Sequence, residues 1–149
     1  MSTLEQRRSH RRRRTRGQAL VEFAVVLPVF ILMLSGMLDF GFMLYSRMTV
    51  INAAREGARA AITAADRTTV PSVAQGAAQN AATGLVVASM TVTTTCVPIV
   101  SASCNWSTKT SSQAGDGVKV TVSYTYRTFF PLAFGATLPL GSTVQMVLE

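Results

Sequence analysis

A long apolar stretch near the amino terminus constrains this chain more than any other feature. No charged residue occurs from Phe23 to Leu38, and apolar residues continue beyond Asp39 as far as Tyr45. A helix over residues 23–45 would be about 34 Å long, enough to cross the hydrocarbon core of a bilayer, which is about 30 Å thick. The stretch therefore predicts one membrane-spanning helix.

The positive charge of the chain is concentrated before this stretch. Residues 1–17 contain seven arginines and one glutamate, which account for six of the seven net positive charges. Arginines placed beside the first apolar segment, here Arg11–Arg14 and Arg16, hold that end of a membrane protein in the cytoplasm. No aromatic or glycine-rich interleaving accompanies them, which argues against a nucleic-acid-binding tail. We therefore expect residues 1–17 to form a cytoplasmic leader and the carboxy-terminal part to be extracytoplasmic.

A small residue, Gly17, lies between the leader and the apolar stretch. An ordinary secretory signal has its cleavage site after a shorter apolar core, whereas cleavage after Gly17 would remove the arginines and keep the helix. A glycine lets the backbone of an enzyme approach closely, because it has no Cβ. The order of these features makes Gly17 a candidate cleavage site.

Glu22 is a carboxylate at the edge of the apolar stretch, where an unpaired charge costs a few kcal/mol. Cleavage would create a partner, because the new amine of Gln18 is a cation that the Glu22 of a neighbouring subunit could meet. The alternative is that Glu22 only reaches the headgroup water at the end of the helix.

The same residues resemble a known signal. Gly17, four residues, Glu22 and the aromatic Phe23 resemble the prepilin-type signal of Flp/Tad pilins. The wider stretch from Gly17 to Ala61 contains Pro28, Asp39, Gly41 and the segment NAAREGARAA, and it is similar to the TadE-like family of pilus-assembly pseudopilins. TadF-like and TadG-like proteins share the amino-terminal pattern.

This resemblance implies a pseudopilin or minor pilin in the inner membrane of a bacterium, either as a component of the pilus filament or as an assembly factor. The implied partners are a prepilin peptidase cutting after Gly17, other pilins or pseudopilins, the inner-membrane proteins of pilus assembly, and the lipid bilayer. An uncut single-pass membrane protein with a partner-binding outer domain is the alternative function. The two differ in whether the mature chain begins at Gln18.

The expected fold is α+β and pilin-like, with a membrane and stalk helix over residues 18–64 and a small extracytoplasmic headpiece over residues 65–149. Pro28 removes a helix hydrogen-bond donor, so we expect a kink or an opened turn there, which would serve as a hinge or have no role. The stalk is predicted to bury an apolar stripe on the headpiece. This stripe comprises Met48, Ile51, Ala54, Ala58 and Ile62.

The headpiece sequence predicts one helix and three antiparallel strands. The helix is expected over residues 72–89, after Pro71. The strands are expected over residues 90–97, 118–127 and 142–148, and the middle one has the clearest alternation of apolar and polar residues. Residues 128–141 are apolar for a loop and are expected to pack in the core, with the membrane surface and a neighbouring subunit as alternatives.

Cys96 and Cys104 are expected to form a disulfide, because the predicted orientation places them outside the cytoplasm. A bridge that closes so short a loop would contribute about 2 to 3 kcal/mol. We expect no metal or other cofactor, since the one histidine, His10, lies in the leader. The sequence has no Gly-x-Ser-x-Gly turn and no phosphate-binding glycine loop, so an enzyme is not expected.

Overall fold

The computed structural model describes residues 3–104, 106, 114–131 and 135–148, with side chains described from Gly17 onward. The side chains of the leader arginines lie outside this described part. The first helix, α1, runs from Thr3 to Ile62 and passes through Pro28 without interruption. The chain divides into two compact units, Met1–Asp39 and Phe40–Glu149, which we call the N-terminal and C-terminal units.

The C-terminal unit contains a three-stranded antiparallel sheet in the order β1-β2-β3, so the fold is α+β as expected. Strand β1 spans Met90–Val97, which confirms the prediction, and β2 spans Gly117–Arg127, one residue more than predicted. Strand β3 spans Thr137–Val147, so its predicted start at residue 142 was wrong.

The reason for this error is the position of β3 in the sheet. Proline and glycine are typical of strand ends, and Pro139 and Gly141 precede the predicted start, yet they pair with Thr125 and Ser123 of β2 inside the ladder. Strand β3 has a neighbour on one side only. A proline that lacks an N–H is tolerated on an edge strand, because its nitrogen can face away from the ladder.

The core of the C-terminal unit lies between the second half of α1, a second helix and β2. The second helix, α2, runs from Val70 to Ala81. The buried core residues are mostly alanine and valine. They include Val50, Ala53, Ala54, Ala58 and Ala61 of α1, Val70, Ala74 and Ala78 of α2, and Val118, Val120 and Val122 of β2.

The buried face of α1 differs from the predicted stripe. Ala54 and Ala58 are buried as expected, but Met48 is 66% exposed and Ile51 and Ile62 are only partly buried. Small residues define this face because they let the helices and sheet approach closely. A Cβ added to Gly57 would lie 3.0 Å from the carbonyl oxygen of Ala74 and 3.4 Å from Cγ1 of Val120.

The predicted bounds of the second helix, residues 72–89, were also wrong. Pro71 lies in the first turn of α2, where its missing N–H costs no helical hydrogen bond, so the helix begins before it. After α2 ends, Gly84 adopts a positive φ of 79°, and a short 3₁₀ turn over Val87–Ser89 leads into β1. The turn at Gly84 therefore separates α2 from the 3₁₀ turn, although the alanine-rich sequence predicted one continuous helix over both.

The loop after β2 does not follow the expected core packing. Phe129 is 72% exposed, and its ring lies 5.8 Å from that of Phe42 of α1, measured between ring centroids. Phe130 is partly buried. Residues 132–134, which belong to the same predicted core segment, lie outside the described residues. For Phe129 the prediction of core packing was wrong.

Candidate processing site and the apolar helix

The predicted processing residues are successive positions on α1. Gly17, Gln18, Glu22 and Phe23 all lie within the helix and are all exposed. Glu22 lies one helical turn after Gln18, and Nε2 of Gln18 donates to Oε1 of Glu22 at 3.4 Å. This distance is at the weak end of hydrogen bonding. The carboxylate of Glu22 can therefore reach toward residue 18 within a single chain.

Gly17 has open space around it. A Cβ added at this position would meet no heavy atom within 4 Å. The packing of the chain therefore does not require glycine at residue 17. A glycine inside a helix costs about 1 kcal/mol relative to alanine, which makes this turn of α1 easier to open than its neighbours.

Opening of that turn matters for any cleavage of the Gly17–Gln18 peptide bond. The peptide lies inside α1, where backbone groups are engaged in hydrogen bonds to the preceding and following turns. A protease must reach the carbonyl carbon and displace those bonds. Gly17 combines a weakened helical turn with room for an added Cβ.

The helix that follows Gly17 is apolar and uncovered. The part of α1 from Gly17 to Ile62 is long and apolar enough to cross a membrane, and none of its most apolar window is buried. Large exposed side chains project from all sides of this helix. They include Leu20, Phe23, Val26, Phe30, Met33 and Leu38. A surface of this kind is covered by lipid or by other helices, since water is an unfavourable environment for it.

Pro28, the predicted hinge, lies within this apolar part of α1 and is exposed. Its ring nitrogen cannot donate to the carbonyl of Ala24, so one helical hydrogen bond is missing at this turn. The helix nevertheless continues through the turn. A hinge at Pro28 stays a prediction.

The two cysteines lie in the C-terminal unit and form a disulfide. The Cα atoms of Cys96 and Cys104 are 5.7 Å apart. Cys96 is in β1, and the bridge closes the loop that follows this strand.

Asp116, which was not among the predicted site residues, also holds this loop in place. Its carboxylate is fully buried, and Oδ1 accepts hydrogen bonds of 3.0 Å from the backbone N–H groups of Ile99, Val100 and Ser101. Its Oδ2 accepts a 2.6 Å hydrogen bond from Oγ of Ser101. The Asp-Gly pair at 116–117 is a turn signal that could have drawn attention to this residue.

The described residues show no site for a metal ion, since no three His, Cys, Asp or Glu side chains come together among them. An open groove of about 550 Å³ lies between the end of α1 and α2, with Glu56, Arg59 and Asn80 among its lining residues. The groove is wide and shallow, and its polar side chains do not converge on one point.

Residues 17–59 match the family model of TadE-like proteins. The match begins at the predicted processing residue and ends within α1, so it covers the apolar helix and most of the buried face of the stalk. Comparison of the chain with curated proteins and with solved structures gives no match.

Proposed function

Since residues 17–59 belong to the TadE-like family, we propose that this chain is a pseudopilin or minor pilin of a Tad-type pilus. In this proposal α1 anchors the chain in the bacterial inner membrane, with the leader in the cytoplasm and the C-terminal unit outside. A prepilin peptidase removes the leader, and the mature subunit then joins other pilins in assembly. Its role is structural and involves no catalysis by the chain itself.

The observation that carries this proposal is the position of Gly17. The residue lies between an arginine-rich leader and an uncovered apolar helix, and open space surrounds it. Glu22 and Phe23 follow at the spacing of the prepilin signal, on the exposed surface of the same helix. A peptidase at the cytoplasmic face would therefore find the bond between Gly17 and Gln18 at a fixed depth.

Glu22 is proposed to act after cleavage. The amine of Gln18 would become the positively charged start of α1, and the Gln18 side chain already approaches Glu22. In a bundle of parallel helices the carboxylate of one subunit can pair with the amine of another. An ion pair at the edge of a low-dielectric region is strengthened by the exclusion of water, so this contact would fix the axial register between subunits.

The first test replaces Gly17 with phenylalanine. We expect the precursor to remain uncut, because the bulky side chain blocks the approach of the peptidase, while membrane insertion is unchanged. Cleavage is measured by electrophoretic size and amino-terminal sequencing of the membrane-extracted protein. Gly41→Phe is the matched control, since Gly41 is another glycine of α1 with open space around it, and this variant should be cut normally. Recovery of Gly17→Phe with Gln18 as its first residue would refute the proposed processing.

The second test replaces Glu22 with alanine. We expect normal insertion and cleavage, but about a tenfold smaller fraction of the protein in assembled pili, which corresponds to about 1.4 kcal/mol lost per contact. Glu56→Ala provides the control, because Glu56 is also an exposed carboxylate of α1 but lies in the stalk. If the Glu22 variant assembles as well as the Glu56 variant, Glu22 only reaches headgroup water.

A further inference from the structure

An exposed apolar patch surrounds α1 immediately after Asp39. We call it the collar, and its members are Phe42, Tyr45, Val86, Val87 and Phe129. Each is more than one-third exposed, and Phe129, at 72%, is the most exposed of the five. Scattered single apolar residues are normal on a protein surface, but a cluster on neighbouring elements marks a place that something covers.

Two contacts hold the members of the collar together. The rings of Phe42 and Phe129 lie 5.8 Å apart between centroids, which places the loop after β2 against α1. The hydroxyl of Tyr45 donates to the carbonyl oxygen of Thr83 at 3.2 Å, which places the turn before Val86 against the next helical turn. The collar is therefore built by α1 and by two other segments that contact it, the turn before β1 and the loop after β2.

The charged residues within the collar segments are arginines, and the buried Asp39 directly precedes the first segment. The three segments that form it, residues 40–48, 83–89 and 126–131, contain two arginines, Arg47 and Arg127, and no acidic residue. Both arginines are exposed. Tyrosine is enriched at both interfaces of a membrane, and arginine side chains near the end of a membrane helix reach out to the lipid headgroups.

The position of the collar along the chain points to the same boundary. A helix that enters the hydrocarbon core near residue 20 rises about 30 Å over the next twenty residues, so it leaves the core close to Phe40. The collar begins within two residues of that point. When α1 spans the bilayer, the collar residues of α1 therefore lie at headgroup depth.

We propose that the collar docks the C-terminal unit onto the bilayer, with Phe129 inserted among the lipids and Arg47 and Arg127 facing anionic headgroups. This inference rests on the membrane anchoring of α1 under the proposed function. In this arrangement the unit does not swing freely about its helix, because the loop after β2 and the turn before β1 both hold it at the lipid surface. Extraction of a subunit from the membrane then breaks a second lipid contact besides that of α1.

The test uses the full chain in vesicles of phosphatidylcholine and phosphatidylglycerol, with bromine on the acyl chains as a quencher. Three variants each add one tryptophan to the native Trp106, whose signal in the unchanged protein is subtracted. Phe129→Trp probes the collar. Phe30→Trp probes the apolar helix.

Val100→Trp is the matched control, because Val100 is 62% exposed and its N–H binds Asp116 at the start of β2. This site is about 34 Å from Arg127 along the strand.

We expect brominated lipid to quench the added fluorescence of Phe129→Trp and Phe30→Trp by at least about half, and that of Val100→Trp hardly at all. If Phe129→Trp is quenched no more than Val100→Trp while Phe30→Trp is quenched, the collar proposal is overturned and the membrane anchor stands. If Phe30→Trp is also unquenched, the membrane anchor itself is overturned. Protection of Phe129→Trp from both brominated lipid and aqueous acrylamide would assign the collar to a protein partner and overturn lipid docking.

Discussion

Replacing Asp116 with alanine is expected to lower the free energy of unfolding of the C-terminal unit by about 3 kcal/mol. The carboxylate accepts hydrogen bonds from three consecutive backbone N–H groups, those of Ile99, Val100 and Ser101, and from the hydroxyl of Ser101. Alanine would leave four donors without their acceptor. Ile99 and Val100 are exposed, so water can replace some of these bonds. The loss is therefore smaller than the sum of four charged hydrogen bonds.

Urea unfolding of the detergent-solubilised full chain measures this effect through the fluorescence of Trp106. This residue is the one tryptophan of the chain and packs against the core. Asp66→Ala is the matched control, since the Asp66 carboxylate binds one backbone amide, that of Thr68, at the start of a 3₁₀ turn. We expect it to cost about 1 kcal/mol, the usual effect of losing a cap. If both variants lose the same free energy of unfolding, the buried Asp116 carboxylate stabilises the fold no more than an ordinary helix cap.

A double-mutant cycle with the disulfide tests whether the two anchors act on the same loop. The bridge between Cys96 and Cys104 encloses Ile99–Ser101, the segment that Asp116 binds. Once the bridge is absent, the loop can turn its N–H groups to water more easily. The combined loss for Cys96→Ser and Asp116→Ala should therefore be about 1 kcal/mol smaller than the sum of the two single losses. Strict additivity would indicate independent anchors.

Replacing Gly57 with leucine is expected to destabilise the C-terminal unit by at least about 3 kcal/mol. At Gly57, α1 closely approaches both α2 and β2, since a Cβ there would meet atoms of Ala74, Ala78 and Val120 at 3.0 to 3.4 Å. The nearest of these is a backbone oxygen of α2, which cannot rotate away. A branched side chain would have to separate the two helices along their alanine contacts.

Alanine substitutions at two glycines are expected to change the stability of the C-terminal unit in opposite directions. Alanine at Gly57 gains about 1 kcal/mol of helix propensity and loses more by crowding, so the variant should be less stable than the parent chain. Alanine at Gly76 gains the same propensity without a clash, because no heavy atom lies within 4 Å of its Cβ position in α2. We expect Gly76→Ala to be more stable. Stabilisation by both substitutions would mean that the contact at Gly57 relaxes easily.

The elements that could be predicted from the sequence are those whose signal is local. Residues 118–127 alternate between apolar and polar side chains, and this pattern placed β2 within one residue of its start. Met90–Val97 was predicted with its observed bounds. Both strands have one face toward the core, so the period of two in the sequence is a direct consequence of their burial.

The elements that could not be predicted depend on neighbours distant in sequence. The buried face of α1 is set by how closely alanines and Gly57 let α2 and β2 approach, whereas the large Met48 remains outside. A pattern based on large apolar residues therefore selected a face rotated from the real one. Strand β3 accepts Pro139 because the residue lies at a sheet edge, which requires knowledge of the strand order.

The functional residues also fall into two groups, those with a local sequence signal and those that depend on distant neighbours. The order of leader, Gly17, Glu22 and apolar helix is a linear signal, and the family match over residues 17–59 begins at this glycine. The role of Asp116 depends on three amide groups about 15 residues earlier in the chain, which only the folded loop brings to it. The apolar character of residues 128–141 predicts core packing for Phe129. Its exposure depends instead on how the whole loop packs, which the local sequence does not indicate.

The continuity of α1 determines how the subunit would bear a mechanical load. One helix extends from Thr3 to Ile62, and the chain reaches the first strand only at Met90. A pull on the apolar part of α1 is therefore transmitted along the hydrogen bonds of this helix. Within the C-terminal unit, it would act first on the contacts that the buried alanines of α1 make with α2 and β2. We expect these contacts to bear the load before the hydrogen bonds that join β1 to β2.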